Sequence, residues 1–150
     1  MPTRLEDIAS AMVAVVEPDT TAFVSAQLMR KHHVGALVVV DTAEKSRPVG
    51  VLTDRDLVLS LMAEGLDPEL FTVGDIMSVA PIVARPEMDA MDAVELMRSN
   101  QLRRLVIADE AGRLVGIVTM EDILAFLARE LTSLTAAVVG ARDREFEHRR

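Results

Sequence analysis

The chain has 150 residues, half of them hydrophobic, and a formal net charge of −8 from 24 acidic and 16 basic residues. That sign repels a phosphate backbone, and four Phe with no Tyr or Trp leave few platforms for stacked bases, so nucleic acid is not an expected partner. With no Cys there are no disulfides or thiolate chemistry, no uninterrupted apolar run approaches the roughly 20 residues of a membrane span, and Met1 to Asp7 is too acidic for a secretory signal, so a cytoplasmic protein without a membrane partner is expected.

In chain order, Met12 to Val16 is a short apolar stretch, and Glu17 to Thr21 supplies a turn with capping residues. A helix is predicted from about Thr21 to His32, with Val24, Leu28 and Met29 on its apolar face. The β-branched run Ala36 to Val40, the turn Asp41 to Pro48 and the run Val49 to Leu52 predict a hairpin. A second helix starts at Thr53-Asp54 and runs to about Glu64, and Gly65 to Phe71 reads as a linker. The pattern then recurs: an apolar stretch Pro81 to Ala84, a turn Arg85 to Asp89, and a helix to about Asn100 bearing Met91, Val94 and Met97. Strands Leu105 to Ala108 and Leu114 to Val118 flank the turn Asp109 to Arg113, and a last helix runs from Thr119-Met120 to about Ser133. Beyond it, Leu131, Leu134, Ala137 and Val138 form a modest apolar stripe that ends near Gly140 in a charged segment. That stretch reads either as a frayed tail or as a surface for a partner chain.

The two halves are one unit written twice. A shift of 68 residues aligns Asp7-Ile8 with Asp75-Ile76, Pro18 with Pro86, Leu28-Met29-Arg30 with Leu96-Met97-Arg98, and Asp41 with Asp109. After those aspartates the shift falls to 66, aligning Gly50 with Gly116, Thr53 with Thr119 and Asp56 with Asp122. The two extra residues fall in the first hairpin turn, where insertions are tolerated. Each half follows the order β-α-β-β-α, and a unit near 60 residues buries too little surface to stand alone. Packing the two sheets face to face would complete one shared core. The division predicted is a first repeat over 1–64, a linker over 65–71, a second repeat over 72–134 and a C-terminal helix or tail over 135–150.

The chemistry points to the corners Gly50-Val51-Leu52-Thr53-Asp54-Arg55-Asp56 and Gly116-Ile117-Val118-Thr119-Met120-Glu121-Asp122. Each delivers a Thr to a helix start with an Asp three residues on, which by itself describes a helix cap. The same corner could offer backbone N–H groups to an anion while the Asp accepts the hydroxyls of a ribose. The doubled set of Asp-Ile-(Met/Ala)-Ser, a Leu-Met helix, a Val-rich strand ending in Asp, and Gly-h-h-Thr-x-x-Asp (h apolar) resembles a pair of CBS domains, the Bateman module, over nearly the whole chain.

The resemblance implies an α+β fold of two repeats packed sheet to sheet about a pseudo-two-fold axis. It implies two clefts for AMP, ADP or ATP, with or without Mg, or for S-adenosylmethionine, and a homodimer that regulates an effector protein by changing conformation. Carried over to this chain, one cleft would gather Thr53, Arg55 and Asp56 with Leu102, Arg103 and Arg104. The other would gather Thr119, Glu121 and Asp122 with Val34, Gly35 and Ala36. Glu121 stands where the first cleft has Arg55, so one competent nucleotide site and one weak or empty site are expected. The chain departs from the family in having Val38 and Val106 where a strand Pro is common, and Ala9 where Met is expected. The rival reading is a structural dimerisation module with degenerate clefts.

No catalytic constellation is visible: no nucleophile stands beside a base, no Walker-type loop occurs, and Asp54 and Asp56 point apart on one helix. The His32-His33 pair sits at a helix end, where it answers terminal carbonyls and the dipole, and lacks the neighbours a metal would need. The nine Met residues read mostly as core filling.

Overall fold

Capping side chains set where the helices begin. In a computed structural model, which describes residues 3–79 and 82–148, the Thr21 hydroxyl accepts from the Val24 N–H at 3.2 Å to start α1 (Ala22–His32). Asp89 accepts from the Met91 N–H at 3.2 Å to start the matching helix, α4 (Ala90–Asn100). Both helices end on a left-handed residue that is not glycine, His33 (φ 54°) and Gln101 (φ 55°). His33 closes its helix through its backbone N–H on the Met29 carbonyl, a task the sequence reading gave to the ring. The predicted strand start at Pro81 and the chain ends Met1, Pro2, Arg149 and Arg150 lie outside the described residues.

One sheet has the order β1 (Val15–Val16), β2 (Ala36–Val40), β3 (Pro48–Thr53), β4 (Ser78–Val79), with only the β1–β2 pair parallel. The other has the order β5 (Val83–Ala84), β6 (Arg104–Ala108), β7 (Leu114–Thr119), again with its first pair parallel. The duplication holds to the level of register: Val39 pairs with Gly50 and Ile107 with Gly116, and each hairpin is irregular at the next residue.

The opening segment of each repeat crosses over to the other. β4, from the second repeat, pairs with Gly50 and Val51 of the first. Ser10, from the first repeat, bridges Ile117 of the second through two hydrogen bonds of 3.0 Å. A 3-10 turn (Leu5–Asp7) buries Leu5 in the second repeat's core, and α3 (Val73–Ile76) buries Val73 in the first's. The crossing explains the paired glycines. A Cβ on Gly50 would lie 2.7 Å from the Ser78 carbonyl oxygen, and one on Gly116 would lie 2.6 Å from that of Ser10.

Alternate residues of the central strands face opposite ways. Leu37, Val39 and Leu52 pack with Met29 and Val73 on one side. Leu105, Ile107 and Val118 pack with Leu5 and Met97 in the second repeat. Val38, Val40 and Val106 meet where the two sheets face each other. Three clusters therefore stand where the sequence suggested one shared core, because β2 and β6 are covered on both faces.

The last helices of the repeats differ. After α2 (Asp54–Leu57) the first repeat continues as a π-helical turn (Val58–Met62). In the second, α5 runs unbroken over Met120–His148, 29 residues, well past the stop near Ser133 that the sequence suggested. Gly140 costs a helix only about 1 kcal/mol, too little to stop one flanked by Ala136, Ala137, Ala141 and Arg142. By length and composition α5 is apolar enough to cross a membrane. Counting unbroken apolar runs missed this, because Arg129 and Glu130 interrupt the apolar residues midway.

Candidate functional site

β3 and β7 each end on a threonine that begins a helix, and both corners close a capping box. The Thr53 N–H donates to Asp56 Oδ2 at 2.9 Å, and the Asp56 N–H donates to Thr53 Oγ1 at 3.1 Å. Thr119 and Asp122 exchange the same bonds at 2.9 and 3.0 Å. Around the first corner the other amides are also engaged: Asp54 N–H donates to the Gly35 carbonyl and Arg55 N–H to Asp54 Oδ1. The expectation of free amides for an anion is therefore corrected at this corner. The cap and the Gly35 carbonyl satisfy the first turn of the short helix, which leaves the side chains as the groups that could meet a negative charge.

Those side chains converge. A cavity of about 500 Å³ lies between the repeats, within the size range of small-ligand sites. One wall is Thr53, Asp54, Arg55 and Asp56, and the facing wall is Leu102, Arg103 and Arg104 preceded by Gln101. All six residues that the sequence assigned to the first cleft thus share one cavity. Three arginines and two aspartates line it, in a chain whose net charge is −8. Asp56 and Arg104 are half-buried, whereas Arg55 and Arg103 are exposed and more strongly screened by solvent. Asp56 holds the cap with Oδ2, so its chemistry toward a ligand would come from Oδ1.

Sequence reasoning missed Asp54, Gln101, Ser78, Ile82, Val51 and Val106, which also line the cavity. Ser78 was in view as part of the Asp-Ile-Met-Ser motif, but only the crossing of β4 onto β3 brings it to the cleft. Gln101 carries a local signal, as the left-handed residue after α4 and the counterpart of His33.

The second predicted set is fixed in its parts. Thr119 and Asp122 form the cap, and Val34 to Ala36 lead from the end of α1 into β2. A Cβ on Gly35 would stand 3.1 Å from Asp54 Oδ2, so this strand start is held tightly against the first repeat's own corner. Its counterpart, Arg103, has a full side chain, and its carbonyl accepts from the Met120 N–H at 2.7 Å. Among the described residues, no group of three or more His, Cys, Asp or Glu is placed to hold a metal ion.

The CBS domain family profile matches residues 5–63 and 73–129. The chain belongs to the CBS domain family. CBS domain-containing protein YhcV of Bacillus subtilis is 40% identical over 121 residues, which cover 81% of this chain and 83% of that one. A protein of Methanopyrus kandleri is 41% identical over 118 residues, covering 79% of this chain but only 59% of the longer relative. A CBS domain protein of Pyrobaculum aerophilum, solved in complex with AMP, superposes with a TM-score of 0.75 at 26% identity, covering 85% of this chain and 99% of that one. The two CBS repeats and their sheet-to-sheet packing are those of a Bateman module. The matched segments end at 129, so about two thirds of α5, from Glu130 on, lies beyond them.

Proposed function

We propose that this CBS pair is a regulatory module that binds an adenosine nucleotide of the AMP, ADP or ATP class between its repeats and signals to a partner protein by a change in conformation. The cavity shared by the two repeats carries the reading: Arg55 and Asp56 line the wall from the first repeat, and Arg103 and Arg104 line the wall from the second. Guanidinium groups pair with phosphate oxygens, and the free oxygen of Asp56 is suited to accept a ribose hydroxyl. The Pyrobaculum relative in complex with AMP supports the same ligand class. Because the residues on both walls come from different repeats, a ligand touching both favours one spacing of the repeats, which a partner can read.

S-adenosylmethionine fits this charge pattern less well, because its sulfonium would enter a cavity where cations outnumber carboxylates. The second cleft has Glu121 in place of Arg55 and no Arg in Val34 to Ala36, and is proposed to stay weak or empty toward phosphorylated ligands. No part of this role requires catalysis.

Thermal unfolding followed with an extrinsic dye, since the chain has no Trp or Tyr, tests the proposal against AMP, ADP, ATP and S-adenosylmethionine. A saturable rise in midpoint with a nucleotide, reduced in Arg103→Ala, is expected from linkage. No shift with any of the four would favour a purely structural module.

A further inference from the structure

Along α5 the residues Leu124, Leu127, Leu131, Leu134, Val138 and Ala141 recur at spacings of three and four. That is the a/d pattern of a coiled-coil seam, held over about two and a half heptads. The five larger side chains of the seam are 43 to 66% exposed. The only fully buried side chain on the helix is Ile123, which anchors it to the second repeat's core. From Leu131 onward every described residue is exposed, so a helix about 43 Å long stands largely unpartnered.

We propose that this seam pairs antiparallel with α5 of a second copy of the chain, independently of any nucleotide in the cleft. The charges favour this occupant and this direction. Antiparallel pairing with Leu131 opposite Leu134 of the partner subunit brings Glu121 beside Arg142 of the partner subunit, and the symmetry repeats the pair at the other end. Leu124 then meets Ala141 of the partner subunit, and Leu127 meets Val138 of the partner subunit. Parallel pairing would place Glu145 against Glu145 of the partner subunit in the seam and give Arg142 no acid. A membrane is the poorer occupant. Arg129 and Glu130 lie midway along the helix, and the polar residues Arg142 to Glu145 mix both signs where a membrane-surface helix is rich in Lys and Arg.

The experiment uses the full chain. Light scattering of wild type and of Leu131→Asp/Leu134→Asp should show at least a twofold drop in molar mass for the variant, with its far-UV circular dichroism and unfolding midpoint retained. An unchanged mass overturns the proposal. Orientation is read by crosslinking, because the chain has no cysteine of its own. Glu121→Cys protein mixed with Arg142→Cys protein should give a covalent dimer with a short bis-maleimide, while Val138→Cys alone should not. Dimer from Val138→Cys alone overturns the antiparallel arrangement. Flotation of wild type, but not of the Leu131→Asp/Leu134→Asp variant, with phosphatidylcholine–phosphatidylglycerol vesicles assigns the seam to lipid and overturns the proposal as well.

Discussion

At the end of β3, Thr53 and Asp56 lock a helix start with bonds of 2.9 and 3.1 Å; at the end of β7, Thr119 and Asp122 do so at 2.9 and 3.0 Å. Between the fixed residues stand Asp54-Arg55 in the first corner and Met120-Glu121 in the second. Facing them across the repeats, the first corner meets Arg103 and Arg104 in a common cavity, while the corresponding positions of the first repeat are Gly35 and Ala36. A third Thr-x-x-Asp lies outside both corners, where the Thr72 N–H donates to Asp75 Oδ2 at 2.9 Å at the start of α3. The Thr-x-x-Asp spacing thus serves as a helix cap at three places in the fold, whether or not a cleft adjoins it. The residues around it are where the two copies differ, and they set the charge of each corner.

The largest effect should come from breaking what the two corners share. Each depends on a glycine that lets the other repeat's opening segment lie against it. Gly50→Ala and Gly116→Ala force a methyl group into a backbone carbonyl, and overpacking of this kind costs about 1–3 kcal/mol. Chemical denaturation should show both variants destabilised to a similar degree. If either kept the wild-type midpoint, the crossing of Ser10 or Ser78 onto the opposite sheet would be wrong. Gly140→Ala, on the open face of α5, should instead be neutral or stabilising.

Next in size is the separation of capping from binding. Asp56→Ala and Asp75→Ala each remove one capping box, and each should lose roughly 0.5–2 kcal/mol of stability. Only Asp56 lines the cavity, so only Asp56→Ala should also weaken nucleotide binding in calorimetry. Equal affinity for the two variants would reduce Asp56 to a cap. Arg103→Ala should lower nucleotide affinity about three- to tenfold, the modest end for a charge-assisted contact because Arg103 is exposed. Its loss should shrink as salt is raised, since screening already weakens the wild-type contact.

What could be read in advance follows the range of the interactions. Both α1 and α4 were legible within a residue, because a capping side chain, a 3.6-residue apolar period and a polar exit all lie within one short segment. The hairpins were legible for the same reason, with β-branched runs on either side of a turn. The crossing of the opening segments was not. β4 has two residues and the Ser10–Ile117 contact is a single bridge, so neither has a periodicity of its own, and both are fixed by partners far away in the chain. The six residues expected in the first cleft were read from repeat and resemblance, and they line one cavity. The internally satisfied amides were not, because whether a helix start is free depends on where Asp54 and the Gly35 carbonyl come to rest. The continuity of α5 past Ser133 was misread because Gly140 and the charges after it make the following stretch resemble a separate tail, and weak local signals cannot outweigh strong helix formers on both sides.

The smallest effect should come from reversing the charge of the second corner. Glu121→Arg gives the second corner the sign of the first without touching its cap, since Thr119 and Asp122 hold that alone. If charge is what separates the clefts, the variant should gain affinity for a nucleotide at its weaker site. The gain should be only about two- to fivefold, because Glu121 is exposed and a single solvated charge contributes little. It should remain short of the first site, since nothing in Val34 to Ala36 supplies the second guanidinium, and Gly35 has Asp54 too close to accept one without rearrangement. Calorimetric titration with ATP reads this directly: wild type should show one site, and the variant a second, weaker one. Two equivalent sites in wild type would mean that backbone and shape select the ligand and that the charge at these corners is incidental.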